Sequence, residues 1–269
     1  MIKTLSVANE PSPKNGEVTP LHRVLWTSGW DSTFRVLDLV SRGDCTVQPY
    51  YLLNWNRRSR QIEIERMNEI TAAVALRGWT GKLLPVKVVE RPDSSRDAEI
   101  DHHHLDIRKA WDHLHEEIGL GKQYRHLAIF AREQGLKDLE TGVLGFDKMG
   151  ACLRGKLATV LHDGEPVQVL DAAPDDPLQP IFGNMRFPLF GKTKTEMQAI
   201  ARKRGFLDLL ERSWFCHEPL RNDAPCGLCT PCHDALTRGM AYRIGWRGRM
   251  LARLPGWSRR IGRGILGRT

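Results

Sequence analysis

Two groups of residues in this chain could do chemistry. The first is Cys216, Cys226, Cys229 and Cys232, spaced Cys-x9-Cys-x2-Cys-x2-Cys. Four thiolates at short spacing suit a tetrahedral Zn²⁺ with every position filled, which is a structural site. Pro219, Pro225, Gly227 and Pro231 leave the loop little regular structure of its own, so metal would supply its folding energy. His217 and His233 flank the cysteines as substitute ligands, and reduced cysteines without metal are the alternative. Cys45 and Cys152 read as a buried residue and a loop residue without special chemistry.

The second group is Trp26-Thr27-Ser28-Gly29-Trp30-Asp31-Ser32-Thr33. Val24, Leu25 and Trp26 suit a buried strand, and Phe34, Val36, Leu37, Leu39 and Val40 make an apolar helical face. A strand feeding a helix through a tight turn aims backbone N–H groups and the positive helix end at one point, where phosphate binds well. Gly29 would let an anion approach the backbone or take a positive φ. Thr27, Ser28, Ser32 and Thr33 carry hydroxyls. Asp31 would repel a phosphate unless it orients a donor or holds a metal ion. The turn lacks the Gly-Lys-Ser/Thr ending of a Walker loop. The competing reading is that Ser28, Asp31 or Ser32 only caps the helix.

The elements that must position these groups alternate. Strands are expected at residues 22–26, 46–53 and 82–89, with amphipathic helices after the turn and over 61–77. Pro49 puts the second strand near an edge. This order implies a parallel, twisted sheet with helices on both faces, an α/β fold. Residues 91–121 are polar and hold Asp101, His102, His103, His104 and Asp106, which read as a solvated helix start in preference to a metal cluster. Further expectations are a helix over 124–134, a strand over 139–144, a helix over 149–161 and a short strand at 167–170, with residues 185–190 leading into Gly191-Lys192-Thr193. Thr193 and Glu196 form a capping box in front of Met197, Ile200 and Ala201. Lys194 then sits in a first helical turn, disfavoured by the helix dipole unless an anion lies there; a solvated lysine is the alternative.

These residues together carry a resemblance. The turn resembles the pyrophosphatase loop of PP-loop ATP-using enzymes, Ser-Gly-Gly-x-Asp-Ser, with Thr27 and Ser28 in place of Ser-Gly and with Gly29, Asp31 and Ser32 matching. Phe187-Pro-Leu-Phe-Gly-Lys-Thr-Lys194-Thr-Glu196-Met, Ser213-Trp214-Phe215-Cys216 and Cys226-Gly-Leu-Cys229-Thr-Pro-Cys232 resemble the 7-cyano-7-deazaguanine synthase family. Arg125, Gly142 and Asp147 fit that family's middle elements, and the resemblance runs over about residues 22–240. It implies a PP-loop (HUP-like) domain using ATP and Mg²⁺, with a zinc-binding segment. It implies adenylation of the carboxylate of 7-carboxy-7-deazaguanine, amidation by ammonia, and a second activation and dehydration to the nitrile. Asp31, Ser32 and Lys194 would be catalytic. Residues 26–33, Gly142 and Lys194 would hold the nucleotide, and the four cysteines zinc. The chain departs at Thr27-Ser28, at Trp55-Asn56-Arg57-Arg58-Ser59 and after Asp147, where only Cys152-Leu153-Arg154 remains of a family segment. A relative that transfers the activated acid to another amine, on a protein or nucleic acid, is therefore also open. So is a zinc-bearing nucleic-acid-binding protein with a decayed nucleotide site, against which Asp31, Ser32 and Lys194 stand.

The expected organisation is a disordered lead-in over residues 1–20, the ATP-binding domain over 21–212, the zinc segment over 213–240 and a basic Arg/Gly/Trp tail over 241–269. The 269 residues are 41% hydrophobic and 27% charged, ordinary for a globular chain. No apolar run reaches the roughly 18 residues of a membrane span, and a cytoplasmic location is the default. The net charge of +8 belongs to the end of the chain. Nine arginines and no acid follow residue 237, leaving a body near −1. With Trp246 and Trp257 interleaved, that tail suits an anionic partner (nucleic acid, protein or membrane surface) or serves as a solubilising extension. A homodimer is a further option for the assembly.

Overall fold

The computed structural model describes residues 19–54, 57–90 and 102–253. The lead-in, Trp55, Asn56, Asp101 and the tail from residue 254 lie outside them.

The chain opens as β1 (Leu21–Leu25), α1 (Trp30–Arg42), β2 (Thr46–Leu53) and α2 (Arg60–Ala75), followed by β3 (Lys82–Leu83) and β4 (Lys87–Glu90). Next come α3 (Leu105–Ile118), α4 (Lys122–Glu133), β5 (Leu139–Glu140) and α5 (Lys148–Leu153). A hairpin of β6 (Leu157–His162) and β7 (Glu165–Leu170) leads to α6 (Leu178–Phe182) and β8 (Met185–Phe187). The C-terminal part holds α7 (Lys194–Lys203), α8 (Leu207–Leu210), α9 (Thr230–Thr237), a 3₁₀ turn (Ala241–Arg243) and α10 (Trp246–Arg253).

The architecture is α/β, built on an eight-stranded, mostly parallel sheet in the order β3-β2-β1-β5-β8-β7-β6, with β4 also on β2. Period-2 alternation sends neighbouring residues to opposite faces. Val24, Tyr51 and Leu53 join the core under α1, α2, α7 and α8, while Leu25, Tyr50 and Leu52 join the core under α3, α4 and α6. A third small core gathers Ile62, Trp214, Ala235 and Ile244 around the four cysteines.

Two expectations are corrected. The sheet is not parallel throughout, because β6 and β7 pair antiparallel and β7 runs antiparallel to β8. The helix expected over 149–161 stops at Leu153, and its second half is strand β6. Asp163 and Gly164, both at positive φ (49° and 74°), make the tight turn into β7. Asp-Gly between apolar runs is a strong hairpin signal, and it outweighs helical periodicity here. Pro49 lies near an edge as expected, in β2, which is one strand in, between β1 and the edge strands β3 and β4. Lys82 N donates to Cys45 O and Leu84 N to Val47 O, so by alternation Pro49 faces the third strand. There Val47 pairs with Leu83 but Tyr50 with Lys87, which is a one-residue bulge around Pro85. The bulge asks no N–H of Pro49. Buried Gln48 spans the gap, its Nε2 donating to Pro49 O and Pro85 O at 3.0 Å each.

A candidate nucleotide cleft and a four-cysteine centre

The turn between β1 and α1 opens at the carboxyl end of the parallel strands. No side chain caps α1; Gly29 is its N-cap. The first intrahelical bond runs from Thr33 N to Gly29 O at 2.9 Å, so the amides of Trp30, Asp31 and Ser32 precede it. Ser32 Oγ instead accepts from Thr27 N at 3.2 Å and lies 3.3 Å from Gly29 O, which knits the turn. The positive φ falls not on Gly29 (−66°) but on Ser28, at 60°. Ser28 is fully buried, and its carbonyl accepts from Trp214 N at 2.8 Å. The turn is thereby tied to the segment before the cysteines.

Lys194 arrives from α7 with the expected capping box in place. Its Nζ donates to both oxygens of Asp31, at 2.9 and 3.0 Å, across 163 residues of sequence. Gly142 closes the third side. A Cβ there would lie 3.3 Å from Asp31 Cβ and 3.3 Å from Ser32 N, so the loop after β5 packs on the first turn of α1. Asp147 follows, its carboxyl pushed up by burial and then by the charge of Asp31.

Around these residues lies a cleft of two lobes that share Thr27, Gly29, Asp31, Arg57 and His217. The larger, about 460 Å³, is walled by Leu52, Leu127, Val143 and Met149 with Asn54, Gln123 and Asp147 among its polar groups. The smaller, about 290 Å³, is lined by Lys194, Trp214, Phe215, Arg243 and Trp30. Arg57 at their junction is held by the buried carboxylate of Glu63 at 3.3 Å, which Tyr51 Oη and Ser59 Oγ also bind. Burial, and then Arg57, pushes His217 down to about 4, so it faces the cleft as neutral imidazole. A concave site of this size with few convergent polar groups is the usual form of a small-molecule site.

Of the residues singled out at the turn, the structure brings Thr27, Gly29, Asp31, Ser32, Gly142 and Lys194 onto the cleft, with Trp30 in the smaller lobe. Trp26 and Thr33 face the core, with Trp26 Nε1 donating to Thr33 Oγ1 at 2.9 Å. Ser28 supports the turn from behind. Sequence reasoning did not reach Tyr51, Asn54, Gln123 or Arg243 as lining residues. Arg243 was assigned to the tail, and His217 was weighed only as a metal ligand.

The four cysteines are all buried, with their sulfurs within 4.8 Å of one another. Cys226 Sγ and Cys232 Sγ are 3.9 Å apart, as are Cys229 Sγ and Cys216 Sγ. A tetrahedron with bonds of ~2.3 Å has edges of about 3.8 Å, so the cluster is placed to hold a metal such as zinc. Backbone N–H groups of Cys226, Leu228 and Cys229 point at the sulfurs at 3.2–3.4 Å, as thiolates require. Helix α10 seats on this loop. A Cβ on Gly227 would fall 1.9 Å from Gly248 O, and one on Gly248 2.5 Å from Pro225 O. His102 and His103 are exposed and His104 pairs with Glu133, as a solvated helix start would be. A second group of metal-ligand types, His22, Glu140 and His162, lies beside Arg35 of α1, whose Nε donates to Glu140. No helix among the described residues is long and apolar enough to cross a membrane. In comparisons with known proteins, no family model and no curated relative matches the chain.

Proposed function

We propose that this protein is a PP-loop-type ATP-using enzyme that activates a carboxylate by adenylation, releasing pyrophosphate. The observation that carries the reading is the meeting of Lys194 with Asp31 at the uncapped start of α1. The two motifs behind the resemblance to 7-cyano-7-deazaguanine synthases are distant in sequence and share one cleft. A carboxylate is a poor electrophile, and ATP supplies it with a phosphoryl leaving group. The chain's part is electrostatic. The first-turn amides and the Lys194 ammonium face the negative charge that grows on the phosphates, and Thr27 and Ser32 keep the turn in shape. Asp31 holds Lys194 in the absence of nucleotide and offers a carboxylate to Mg²⁺, with Asp147 nearby. The larger lobe has the size and the mixed walls for a nucleoside. The zinc centre fixes Trp214 and Phe215 beside the smaller lobe without touching the reactants.

Within that reading the acid is 7-carboxy-7-deazaguanine and the product the nitrile. A second reading, transfer of the activated acid to an amine on a macromolecule, is favoured by the exposed Trp246, Met250 and arginine face of α10, which follows Arg243 directly. The pairing of Asp31 with Lys194 counts against a decayed nucleotide site. The test is mass spectrometry after incubation with ATP, Mg²⁺, ammonium and 7-carboxy-7-deazaguanine. Nitrile with pyrophosphate is the expected result. Adenylate or amide without nitrile would move the assignment to the second reading, and no ATP turnover would remove both. Metal analysis of the same sample should return about one zinc per chain.

A further inference from the structure

We propose that the smaller lobe is a receptor for an oxyanion, a carboxylate or a phosphate group, with Arg243 and Trp30 as its donors. The Arg243 side chain is 7% exposed. Its guanidinium carbon lies over two rings, 5.3 Å from the Trp30 ring centre and 5.0 Å from that of Phe215, within cation–π reach of both. Nη2 is engaged, donating to Ser213 O and to Glu211 O. Nε lies 3.6 Å from Glu211 Oε2. Nη1 is buried and has no partner. The same holds for Trp30 Nε1, in a residue 5% exposed, and for the hydroxyl of Ser213, whose carbonyl Arg243 binds.

Three buried polar groups without partners in one neighbourhood are exceptional, because native proteins satisfy nearly all of theirs. Two of the three can only donate, so the missing partner is an acceptor. The carboxylates that line the lobe are engaged elsewhere. Asp31 has Lys194 at 2.9 Å, Glu63 has Arg57 at 3.3 Å, and Asp234 has Arg238 at 3.5 Å. Burial lowers the pKa of Arg243, only partly offset by Glu211, so the guanidinium sits where negative charge is short. The free Arg243 Nη1 and the Trp30 indole N–H can each donate to one oxygen of an oxyanion. Trp214 and Phe215, stacked at an interplanar angle of 27°, give the lobe flat walls for an aromatic ring behind that oxyanion.

In the proposed reaction this is the place of the acid's carboxylate, next to Lys194 and the phosphate turn. That assignment rests on the adenylation reading; the anion site does not. The test is therefore made without ATP, on zinc-loaded full-length protein carrying ¹⁵N-labelled tryptophan. The indole N–H signal of Trp30 is assigned from its loss in Trp30→Phe. We expect 7-carboxy-7-deazaguanine to shift that signal and saturate it. Arg243→Gln should weaken binding at least tenfold, and Trp30→Phe, which keeps the ring stack, by a few-fold. Inorganic pyrophosphate alone is the second probe. If it shifts Trp30 and the acid does not, the site stands as a phosphate subsite. If neither probe moves the Trp30 signal, the receptor is overturned, even where the enzyme turns over ATP. If the acid binds through Arg243 and ATP is never consumed, the site stands and the adenylation reading falls. Should Arg243→Gln fail to fold, the titration of the Trp30 signal in the parent protein with the two probes decides alone.

Discussion

Helix α1 carries charge in two places, and the two are built differently. Its first turn presents Asp31 to the cleft, where one lysine holds it and both side chains keep 20% or more of their surface. One to three turns further on, Arg35, Asp38 and Arg42 enter a buried network. Arg35 binds Glu140 at 2.5 Å and Glu165 at 2.8 Å, His22 binds Glu140 at 2.7 Å, and Asp38 binds Arg42 at 2.5 Å and Arg204 at 3.0 Å. That network joins β1, β5, the hairpin and α7 to α1, and its charges mostly neutralise one another. Burial alone would raise the acids. Arg35 and His22 overcome it and hold Glu140 down to about 2; Arg42 and Arg35 do the same for Glu165. A cluster of metal-ligand types whose central carboxylate is held by Arg35 and His22 serves cohesion, whereas a single weakly held pair at a helix start is free to exchange partners.

Single substitutions at the two places should separate activity from stability. Asp31→Ala should lower pyrophosphate release by about 10³-fold or more, the size of losing a preorganised charge at a transition state. Its melting temperature should stay within a few degrees, since a partly exposed pair contributes about 1 kcal/mol or less. An active Asp31→Ala enzyme would break the site assignment. Glu140→Gln should do the reverse. It removes one of the two carboxylates that hold buried Arg35 and costs about 3 kcal/mol, read as a fall in denaturant midpoint. A Glu140→Gln protein as stable as the parent would show that the network is neutral to the fold.

Acid sharpens the contrast. A carboxyl whose folded pKa lies below its ordinary value of 4.5 stabilises the fold above that pH and gives the stability up as pH falls toward 2. The unfolding free energy should be flat near neutrality and fall by roughly 4–6 kcal/mol between pH 5 and pH 2 if both carboxyls act. Glu140→Gln should flatten that slope, and a slope left intact in that variant would take Glu140 out of the acid response of the network.

What could be read from the residues follows the same division. The phosphate turn, the capping box at Thr193 and the cysteine spacing are local, because their chemistry lies within a few residues. The Asp163-Gly164 hairpin was equally local, and the signal lost out to a helical period in the residues before it. The polar composition around five histidines hid α3, whose buried side needs only Ile107, Ala110 and Leu114. The Arg35 network and the cleft position of Arg243 join residues far apart in sequence, and no spacing rule reaches them. Arg243 was further masked by its setting among eight other arginines, where a single buried guanidinium looks like its solvated neighbours. Pro49 pointed to the neighbourhood of an edge, and β2 is one strand in. Proline is tolerated there because the Pro85 bulge interrupts the ladder on its N side.

The smallest effect concerns Ser28, the residue that stands where the resembling family has glycine. A non-glycine residue at φ 60° costs about 1 kcal/mol. Ser28→Gly removes that cost and loses a 3.3 Å contact between Trp214 N and the Ser28 hydroxyl, while the 2.8 Å bond to the Ser28 carbonyl remains. Glycine's greater freedom in the unfolded chain offsets most of the gain, so stability should change by about 0.5 kcal/mol or less. Ser28→Val is the opposing case, since a β-branched side chain has no room in the left-handed region and this position is fully buried. It should cost about 2 kcal/mol and displace the turn from Trp214. Activity then decides what the turn is for. If Ser28→Gly keeps full turnover and Ser28→Val loses it at temperatures where it remains folded, the backbone path through residue 28 positions the first-turn amides. If Ser28→Gly loses turnover as well, the hydroxyl acts in its own right, and the glycine of the family pattern is not equivalent to serine here.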